Sequence, residues 1–542
     1  MAREISASFI CEVPLKATPA DERELLIRLE CARMVYNACL GASLRRLKQL
    51  HESRAFQDAR RLPKGIRGSE AAKKRTEAFR KANELEGFRE YDLHAYAKQF
   101  GQGWVGVNRL DSLTIQKIAT RAFRAVQDYH FNAKGKPRYK GKGSFDSVEG
   151  KTNTSGIRWQ AETQTVAWLG LTLPAIIVPT DKVIAHGLTS RVKFVRIVRR
   201  KLNRRVRFCA QLVCEGHPYQ KAKNTLGQGV TGIDIGPSTL AVVTEAAATL
   251  EKFCEELEPI QPAIRKLQRK LDRQRRAGDP QNYNKDGTIK KVVKLEWHFS
   301  RRYVYTREQM AELYRKQAAY RKSLHGRKAN QILRLGNVIK MEGLSYRAFQ
   351  RMFGKSVGFR GPGTFVALLR RKAANAGAEV DEFSTQTTRL SQVCLCGTIA
   401  KKTLSLRWHV CDCGVGPIQR DIFSAWLARF VVNNKLDAGQ ARAAWPGADS
   451  FLRAASSEIQ PAMGQGQPKP NPVATQVAQG PSRSSVHSGE RASEACHGYV
   501  AAVTRKLAPQ SEPPGFSPKG YPQSLVQVKY NSLHESSRRM GS

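Results

Sequence analysis

The sequence is poor in acidic residues and has no apolar run of membrane-spanning length. Asp and Glu together number 46 among 542 residues, against 91 Lys and Arg, so the formal net charge at pH 7 is +45. The lack of an apolar run of about 20 residues argues against a membrane-spanning class, and the lack of an N-terminal apolar run argues for a reducing cytosol. We therefore expect a soluble, cytoplasmic protein with no membrane partner.

A disulfide framework is also missing. The chain has 11 cysteines, an odd number without the regular spacing of a small secreted domain, and this indicates a reducing compartment. Seven of them are scattered, and we expect these to fill core positions as small apolar groups. The other four lie close together in the sequence: Cys394, Cys396, Cys411 and Cys413.

A positive excess of this size requires an anionic partner of matching size. Nucleic acid is the expected partner, because each Lys or Arg that contacts a phosphate releases condensed counterions. The charge alone leaves a ribosomal-type protein and a membrane-surface basic protein open as alternatives. In such a basic chain, the few carboxylates that stand inside apolar runs are the first candidates for chemistry.

Length and hydrophobic pattern predict a multidomain α/β protein. A short N-terminal strand precedes a long helical stretch, and a β-rich stretch follows with a hairpin turn near Leu202-Asn203. We predict a split β-barrel domain with a helical insertion, then a second α/β domain with an inserted cysteine module. The expected ranges are 1–20 with 151–225 (barrel), 21–150 (helical), 226–384 with 417–436 (α/β), 385–416 (cysteine module) and 437–542 (mostly disordered tail, from its Pro-rich, aperiodic composition).

Three acidic residues stand in predicted core elements. Asp234 lies inside the apolar strand GIDIG, Glu342 ends the strand VIKMEG, and Asp421 opens the helix RDIFSAWLARFVV. Brought together, these carboxylates can hold two Mg²⁺ or Mn²⁺ ions that hydrolyse a phosphodiester. Each has a plainer interpretation: Asp234 caps a turn, Glu342 is a surface acid at a strand end, and Asp421 complements a helix N-terminus.

The four clustered cysteines form two Cys-x-Cys-Gly pairs, with 14 residues between Cys396 and Cys411. This is one residue tighter per pair than a usual zinc ribbon. A glycine after each pair allows a tight turn under a metal. We predict a Zn²⁺ site with four thiolate ligands, with His409 as a substitute ligand if one pair cannot close. Unligated cysteines in a hairpin are the alternative.

A Gly- and Lys-rich stretch, NAKGKPRYKGKGSFDSVEG, is predicted to be a loop. Such a loop can follow a phosphate backbone, with Tyr139 or Phe145 free to stack on a base. A plain basic linker has the same composition.

Taken together, these motifs resemble the TnpB family of RNA-guided endonucleases and its descendants, the compact type V CRISPR effectors. The resemblance covers roughly residues 5–435. It is carried by GIDIG, MEGL, the paired cysteines around RWHVC, and QRD. The N-terminal ECARMVYNACL is also similar, with Arg33, Tyr36 and Asn37 at matching positions.

The resemblance implies a β-barrel wedge domain, a helical recognition domain, an RNase H-like RuvC nuclease domain and a zinc-ribbon-like target-strand module. It implies guide RNA and target DNA, double- and single-stranded, as partners in a bacterial cytoplasm, and a metal-dependent endonuclease activity at Asp234, Glu342 and Asp421. Base pairing would then read the target sequence. Arg407 is a candidate contact to the scissile strand.

The last motif departs from the family pattern. Many members read Asp-Arg-Asp-x-Asn-Ala-Ala where this chain has Gln419, Arg420, Asp421, Ile422, Phe423, Ser424 and Ala425. A guide-directed protein that silences its DNA target by binding, with little or no duplex cleavage, is therefore the alternative. An unguided nuclease of the resolvase or transposase type is a third hypothesis. A CRISPR guide and a transposon-end guide remain equally open.

Overall fold

The computed structural model describes residues 7–66, 68–102, 107–132, 134–291, 295–403 and 406–457. Up to residue 215 the elements are β1 (Ser8–Pro14), α1 (Pro19–Glu52), α2 (Arg54–Arg61), α3 (Glu70–Leu85), α4 (Glu90–Gln102), α5 (Ser112–Phe131), β2 (Ser147–Glu149), β3 (Arg158–Gln160), β4 (Thr165–Trp168), β5 (Leu171–Pro174), α6 (Lys182–Leu188), β6 (Val192–Leu202) and β7 (Arg205–Glu215). None of the helices in the described ranges has the length and apolar content that crossing a bilayer requires.

The remaining elements complete a mixed α/β chain, as predicted. They are β8 (Val230–Ile235), β9 (Thr239–Val243), β10 (Ala248–Lys252), α7 (Ile260–Gly278), α8 (Arg301–Leu333), β11 (Val338–Glu342), α9 (Tyr346–Met352), α10 (Gly354–Arg360), α11 (Pro362–Ala376), β12 (Glu379–Phe383), α12 (Thr385–Thr388), β13 (Trp408–His409), β14 (Ile418–Gln419), α13 (Arg420–Ala428), β15 (Val431–Val432), β16 (Lys435–Leu436) and α14 (Ala438–Ser457).

The described chain divides into two compact units. The helical unit comprises Lys16–Pro174 and Phe194–Val198, and the sheet unit comprises 7–15, Ala175–Lys193 and 199–457, each without its undescribed residues. This division does not follow the expected boundary at 150/151, because β3 to β5 belong with the helices. The physical reason is Arg28 on α1, which donates hydrogen bonds to the backbone oxygens of Trp168 (2.7 Å) and Leu169 (2.8 Å).

Helix α1 organises the helical unit. It starts with a capping box in which Thr18 and Asp21 exchange hydrogen bonds. Further along, Arg33 and Asn37 both donate to the backbone oxygen of Lys140, at 2.9 Å each. The Gly- and Lys-rich loop is thereby attached to α1.

The two aromatic residues predicted to stack on a base differ in their exposure to solvent. Tyr139 is 50% exposed, as a stacking residue needs, whereas Phe145 is only 2% exposed and contacts Tyr36 at a ring distance of 5.6 Å. The prediction that Phe145 is free to stack on a base is therefore wrong. Its aromatic ring belongs to the core of the unit, under the guanidinium of Arg121.

In the sheet unit, the N-terminal strand pairs with a later strand, as the sequence predicted. Strand β1 runs antiparallel to β7, with Ser8 opposite Glu215 and Pro14 opposite Cys209. Between β6 and β7, Asn203 and Arg204 both adopt positive φ, so the expected hairpin turn near Leu202-Asn203 is confirmed.

A five-stranded sheet forms the centre of the sheet unit. Its strand order is β10-β9-β8-β11-β12; β9 is antiparallel to both neighbours, whereas β11 is parallel to β8 and β12. One face packs a core that includes Leu324 of α8 and Leu369 of α11, and the other packs a core that includes Trp426 of α13 and Leu452 of α14. The sheet is therefore covered by helices on both faces.

Helix α13 lies unusually close to the sheet at Gly232. A Cβ built on Gly232 would come within 1.9 Å of the backbone oxygen of Ala425, so only glycine fits here. Just beyond the C-terminus of the helix, Lys340 of β11 donates to the backbone oxygen of Val431 at 2.6 Å. These two contacts fix α13 over the face that carries Gly232 and Lys340.

The start of the expected disordered tail needs correction. Residues 438–457 form helix α14, and its Leu452 is fully buried against α13. Hydrophobic packing therefore orders at least the first part of this segment. The rest of the predicted tail, residues 458–542, lies outside the described residues.

Candidate metal centres

Asp234 and Glu342 lie on adjacent parallel strands at the same edge of the sheet. Ile233 of β8 is opposite Met341 of β11, and each acid is the next residue of its strand. Ile233 and Met341 are buried in the core shared with α8 and α11. Because side chains alternate along a strand, both carboxyl groups point to the opposite face, the one that α13 covers.

Asp421 reaches this face from the first turn of α13. The Gln419 side chain caps the helix, because its Oε1 accepts hydrogen bonds from the backbone N–H groups of Asp421 (2.6 Å) and Ile422 (2.9 Å). Thr239, the first residue of β9, donates its hydroxyl to Asp421 Oδ2 at 3.4 Å. Asp421 therefore lies beside the strand that pairs with β8. The three residues are called the acidic site below.

The carboxyl groups of the acidic site affect the ionisation of Asp234. Burial raises the pKa of Asp234 well above its usual range, and the negative charges of Asp421 and then Glu342 raise it further. Burial also raises the pKa of Glu342 to about 7. The negative charges of Asp421 and Glu342 thus act on Asp234, and the side chains of Asp234 and Glu342 are only partly exposed to solvent.

The donor set suits a hard divalent cation. It consists of carboxylate oxygens, and a cation between neighbouring carboxylates relieves their mutual repulsion. The three acids do not, however, form a ligand cluster as tight as the cysteines do within the described residues. The prediction of a Mg²⁺ or Mn²⁺ site agrees with the chemistry of the side chains, and its coordination remains a prediction.

Two arginines flank Asp421. The Nη1 of Arg407 lies 3.8 Å from Asp421 Oδ2, and its side chain is 55% exposed. Arg420 is buried, and it donates to the backbone oxygen of Leu406 at 2.9 Å. Both cations lower the pKa of Asp234 in opposition to its burial. Arg407 is the one that reaches solvent beside the acidic site.

The four cysteines converge, as predicted. Their sulfur atoms all lie within 4.8 Å of one another, and the Cys394–Cys413 and Cys396–Cys411 pairs are each 3.6 Å apart. Thiolates at ~2.3 Å from a tetrahedral zinc ion lie about 3.8 Å from one another. The observed spacing therefore fits Zn²⁺. These four residues are called the cysteine cluster below.

Two matching turns build the cysteine cluster. The N–H of Gly397 donates to the oxygen of Cys394, and the N–H of Gly414 donates to that of Cys411, both at 3.0 Å. Both glycines have φ near +90°, at +92° and +89°. Each tightened Cys-x-Cys-Gly pair thus closes on its own, because glycine permits this backbone.

His409 is not needed as a substitute ligand. It is buried, its ring stacks on Phe423 at 4.2 Å, and its Nδ1 contacts the Lys402 ammonium. It also lies outside the metal-ligand cluster, which contains cysteines alone. The condition for His409 to act as a substitute ligand is therefore not met, because the tightened pairs already bring all four sulfurs together.

Comparisons with known proteins found only distant structural similarity. A scan of protein-family models found no match, and a search of curated proteins found none. The chain is similar to a solved structure described as the Cas12f1-sgRNA-target DNA complex, with 12% identity, a TM-score of 0.43, and coverage of 74% of this chain and 81% of that one. It is also similar to one described as a CRISPR-Cas12f ternary complex, with 12% identity, a TM-score of 0.22, and coverage of 75% and 81%. Values this low establish no common activity, and the TnpB resemblance stays a prediction.

Proposed function

We propose that this chain is an RNA-guided, metal-dependent DNA endonuclease. The observation that carries the proposal is the acidic site, in which strand register and helix docking bring Asp234, Glu342 and Asp421 to one edge and one face of the sheet. A core carboxylate is costly unless it is paired or bound to a metal. Three such groups at one place are best explained by catalysis.

In this proposal the three carboxylates hold the cations and Arg407 contacts the substrate. Bound Mg²⁺ would supply an activated water and charge stabilisation for the leaving oxygen of a phosphodiester. Gln419 holds the first turn of α13, and thus the Asp421 backbone, through its two hydrogen bonds. The exposed guanidinium of Arg407 is placed to bind a phosphate of the strand next to the site.

The guide RNA and the domain roles follow from the sequence resemblance and the charge. The sheet order supports an RNase H-like RuvC domain, and the cysteine cluster supports a zinc-ribbon-like module inserted before α13. The wedge and recognition roles are proposed for the segments expected from the sequence, 1–20 with 151–225 and 21–150, although β3 to β5 group with the helices. Helix α7 presents an exposed row of cations suited to a phosphate backbone: Arg265, Lys266, Arg269, Lys270 and Arg273.

A second candidate is guided DNA binding without cleavage. It is favoured by Gln419, which stands where many relatives have an aspartate and which is used here as the cap of α13. The site then has one carboxylate fewer than the usual motif. In this case the three acids would shape the fold rather than cut DNA.

One experiment separates these candidates. The protein is purified with its co-expressed RNA, that RNA is sequenced, and a matching DNA duplex is added with Mg²⁺. We expect cleavage at a defined position, and a loss of about 10³-fold in rate for Asp234→Ala, since a metal centre supplies several kcal/mol of transition-state stabilisation. Tight binding with an intact product in both proteins would favour the second candidate, and the absence of any specific RNA would revive an unguided nuclease.

A further inference from the structure

The cysteine cluster is connected by short segments to β13 and β14, the strand pair that precedes α13. Four residues separate Cys413 from Ile418 of β14, and one residue separates Cys411 from His409 of β13. The two strands pair, with His409 opposite Ile418 and Trp408 opposite Gln419. One step further, the N–H of Arg420 donates to the backbone oxygen of Arg407 at 2.8 Å. The position of the cluster therefore sets the backbone that leads into Asp421.

The strands of this connection cannot easily shift against each other. A Cβ on Gly416 would come within 2.2 Å of the backbone oxygen of His409. The two backbone segments are therefore so close at this point that only glycine fits. His409 also stacks on Phe423 of α13, and the ring centroids are 4.2 Å apart. A movement of the cysteine cluster would thus be transmitted to the first turn of α13.

Helix α14 forms hydrogen bonds with the cysteine-containing segment and with Gln419. Arg442 donates to the backbone oxygen of Leu395 at 3.1 Å, and Arg453 donates to that of Gly416 at 2.7 Å. Ser456 accepts a hydrogen bond from the buried N–H of Gln419 at 3.0 Å. One helix therefore contacts the first cysteine turn, the segment that joins the second turn to β14, and the residue that caps α13.

We propose that the cysteine cluster and α14 form a brace that positions Asp421, so that zinc in the cluster strengthens divalent-metal binding at the acidic site. This inference rests on the proposed function, because it takes the acidic site to be a metal centre. Zinc binding restricts the two turns to one geometry, and the strand pair passes that restriction to Gln419 and Asp421. By linkage, Mn²⁺ at the acidic site also strengthens zinc binding at the cluster.

The test measures Mn²⁺ affinity of the full chain by titration, with the zinc content of each sample known from elemental analysis. We expect removal of zinc with a thiolate-competing chelator to weaken Mn²⁺ binding about tenfold. Hydrogen exchange of the amides in 418–428 should become faster, while that of the β8–β9 hairpin stays unchanged. Equal Mn²⁺ affinity with and without zinc would overturn the brace.

A variant keeps the test decisive if the zinc-free protein unfolds. Ser456→Ala retains all four cysteines and removes the acceptor for the Gln419 N–H, so we expect Mn²⁺ binding about fivefold weaker at full zinc occupancy. Ser457→Ala is the matched control, because its hydroxyl donates only to Ala454 within its own helix, and it should bind Mn²⁺ as the parent does. Identical affinity in both serine variants would contradict the brace, whereas no Mn²⁺ binding in the zinc-loaded parent would instead refute the proposed function.

Discussion

The cysteine cluster and the acidic site lie in the same unit but are built from very different lengths of chain. The four cysteines fall within residues 394–413, and two local turns bring their sulfurs within 4.8 Å of one another. The acids stand at 234, 342 and 421, and they meet only because β8, β11 and α13 pack together. Burial raises the pKa of Asp234 and of Glu342, and the negative charges of Asp421 and Glu342 raise that of Asp234 further.

The difference indicates where each site is sensitive. The four sulfurs of the cysteine cluster are gathered by two local turns with their glycines, so changes in the five-stranded sheet should leave the cysteines able to hold one zinc ion. The acidic site depends on distant packing contacts, above all the close approach of α13 to Gly232. Substitutions remote from the carboxylates should therefore weaken the acidic site and spare the cluster.

The largest expected effect is the loss of one cysteine ligand. Cys413→Ser should reduce zinc affinity by several orders of magnitude, because zinc binding to four thiolates contributes roughly 10 kcal/mol or more. His409→Gln is the matched comparison, and it should keep one zinc ion per chain. Elemental analysis and competition with a chromogenic chelator measure both; zinc lost from the His409 variant alone would reverse our assignment of the ligands.

The second-largest effect is expected from a glycine substitution that affects the acidic site and not the cysteine cluster. Gly232→Ala forces a Cβ against the Ala425 backbone oxygen, and we expect a loss of about 1–3 kcal/mol in unfolding free energy and weaker Mn²⁺ binding, with zinc content unchanged. Gly326→Ala is the control: it stands in α8 with nothing within 4 Å of the added Cβ, and it should be neutral or slightly stabilising. Similar destabilisation in both variants would contradict the close packing of α13.

A smaller effect concerns pH. The Glu342 pKa of about 7 exceeds its ordinary value of 4.5. Between pH 4.5 and pH 7, the Glu342 carboxyl group is therefore protonated in the folded state and ionised in the unfolded state. The stabilising contribution is full below pH 4.5 and is lost as the pH rises through 7. In Mg²⁺-free buffer, we expect the parent to be less stable to urea at pH 8 than at pH 5.5.

Two variants check the origin of that slope. Glu342→Gln should reduce it, whereas Glu162→Gln, an exposed residue of the helical unit, should leave it unchanged. Added Mg²⁺ should restore more stability at pH 8 than at pH 5.5, because metal ligands must be deprotonated. An unchanged slope in Glu342→Gln would show that this carboxyl group is not the source.

Much of the fold could be predicted because local signals agreed with tertiary packing. The Thr18 cap, the β6–β7 turn, the strands that carry Asp234 and Glu342, and the helix that begins beside Asp421 all have short-range patterns. Helix α14 was missed although Ala441, Ala448 and Leu452 share its buried face. Pro446 and Gly447 interrupt the pattern, and its burial against Trp426 depends on residues distant in sequence.

Other misses had no sequence signal. Glutamine is not among the preferred capping residues, so the role of Gln419 at α13 emerges only from its hydrogen bonds. The burial of Phe145 depends on Tyr36 and Arg121, more than 20 residues away. The grouping of β3 to β5 with the helices likewise depends on Arg28, whose partners are 140 and 141 residues distant.

The most direct test of the account is to locate divalent ions by anomalous scattering from crystals of the protein grown with Mn²⁺. We predict a Mn²⁺ peak contacted by the carboxylates of Asp234, Glu342 and Asp421, and its disappearance in Asp234→Asn. Crystals with ordered acidic side chains and no Mn²⁺ between them, or with Mn²⁺ bound only elsewhere, would contradict the claim that these three residues form a catalytic metal centre.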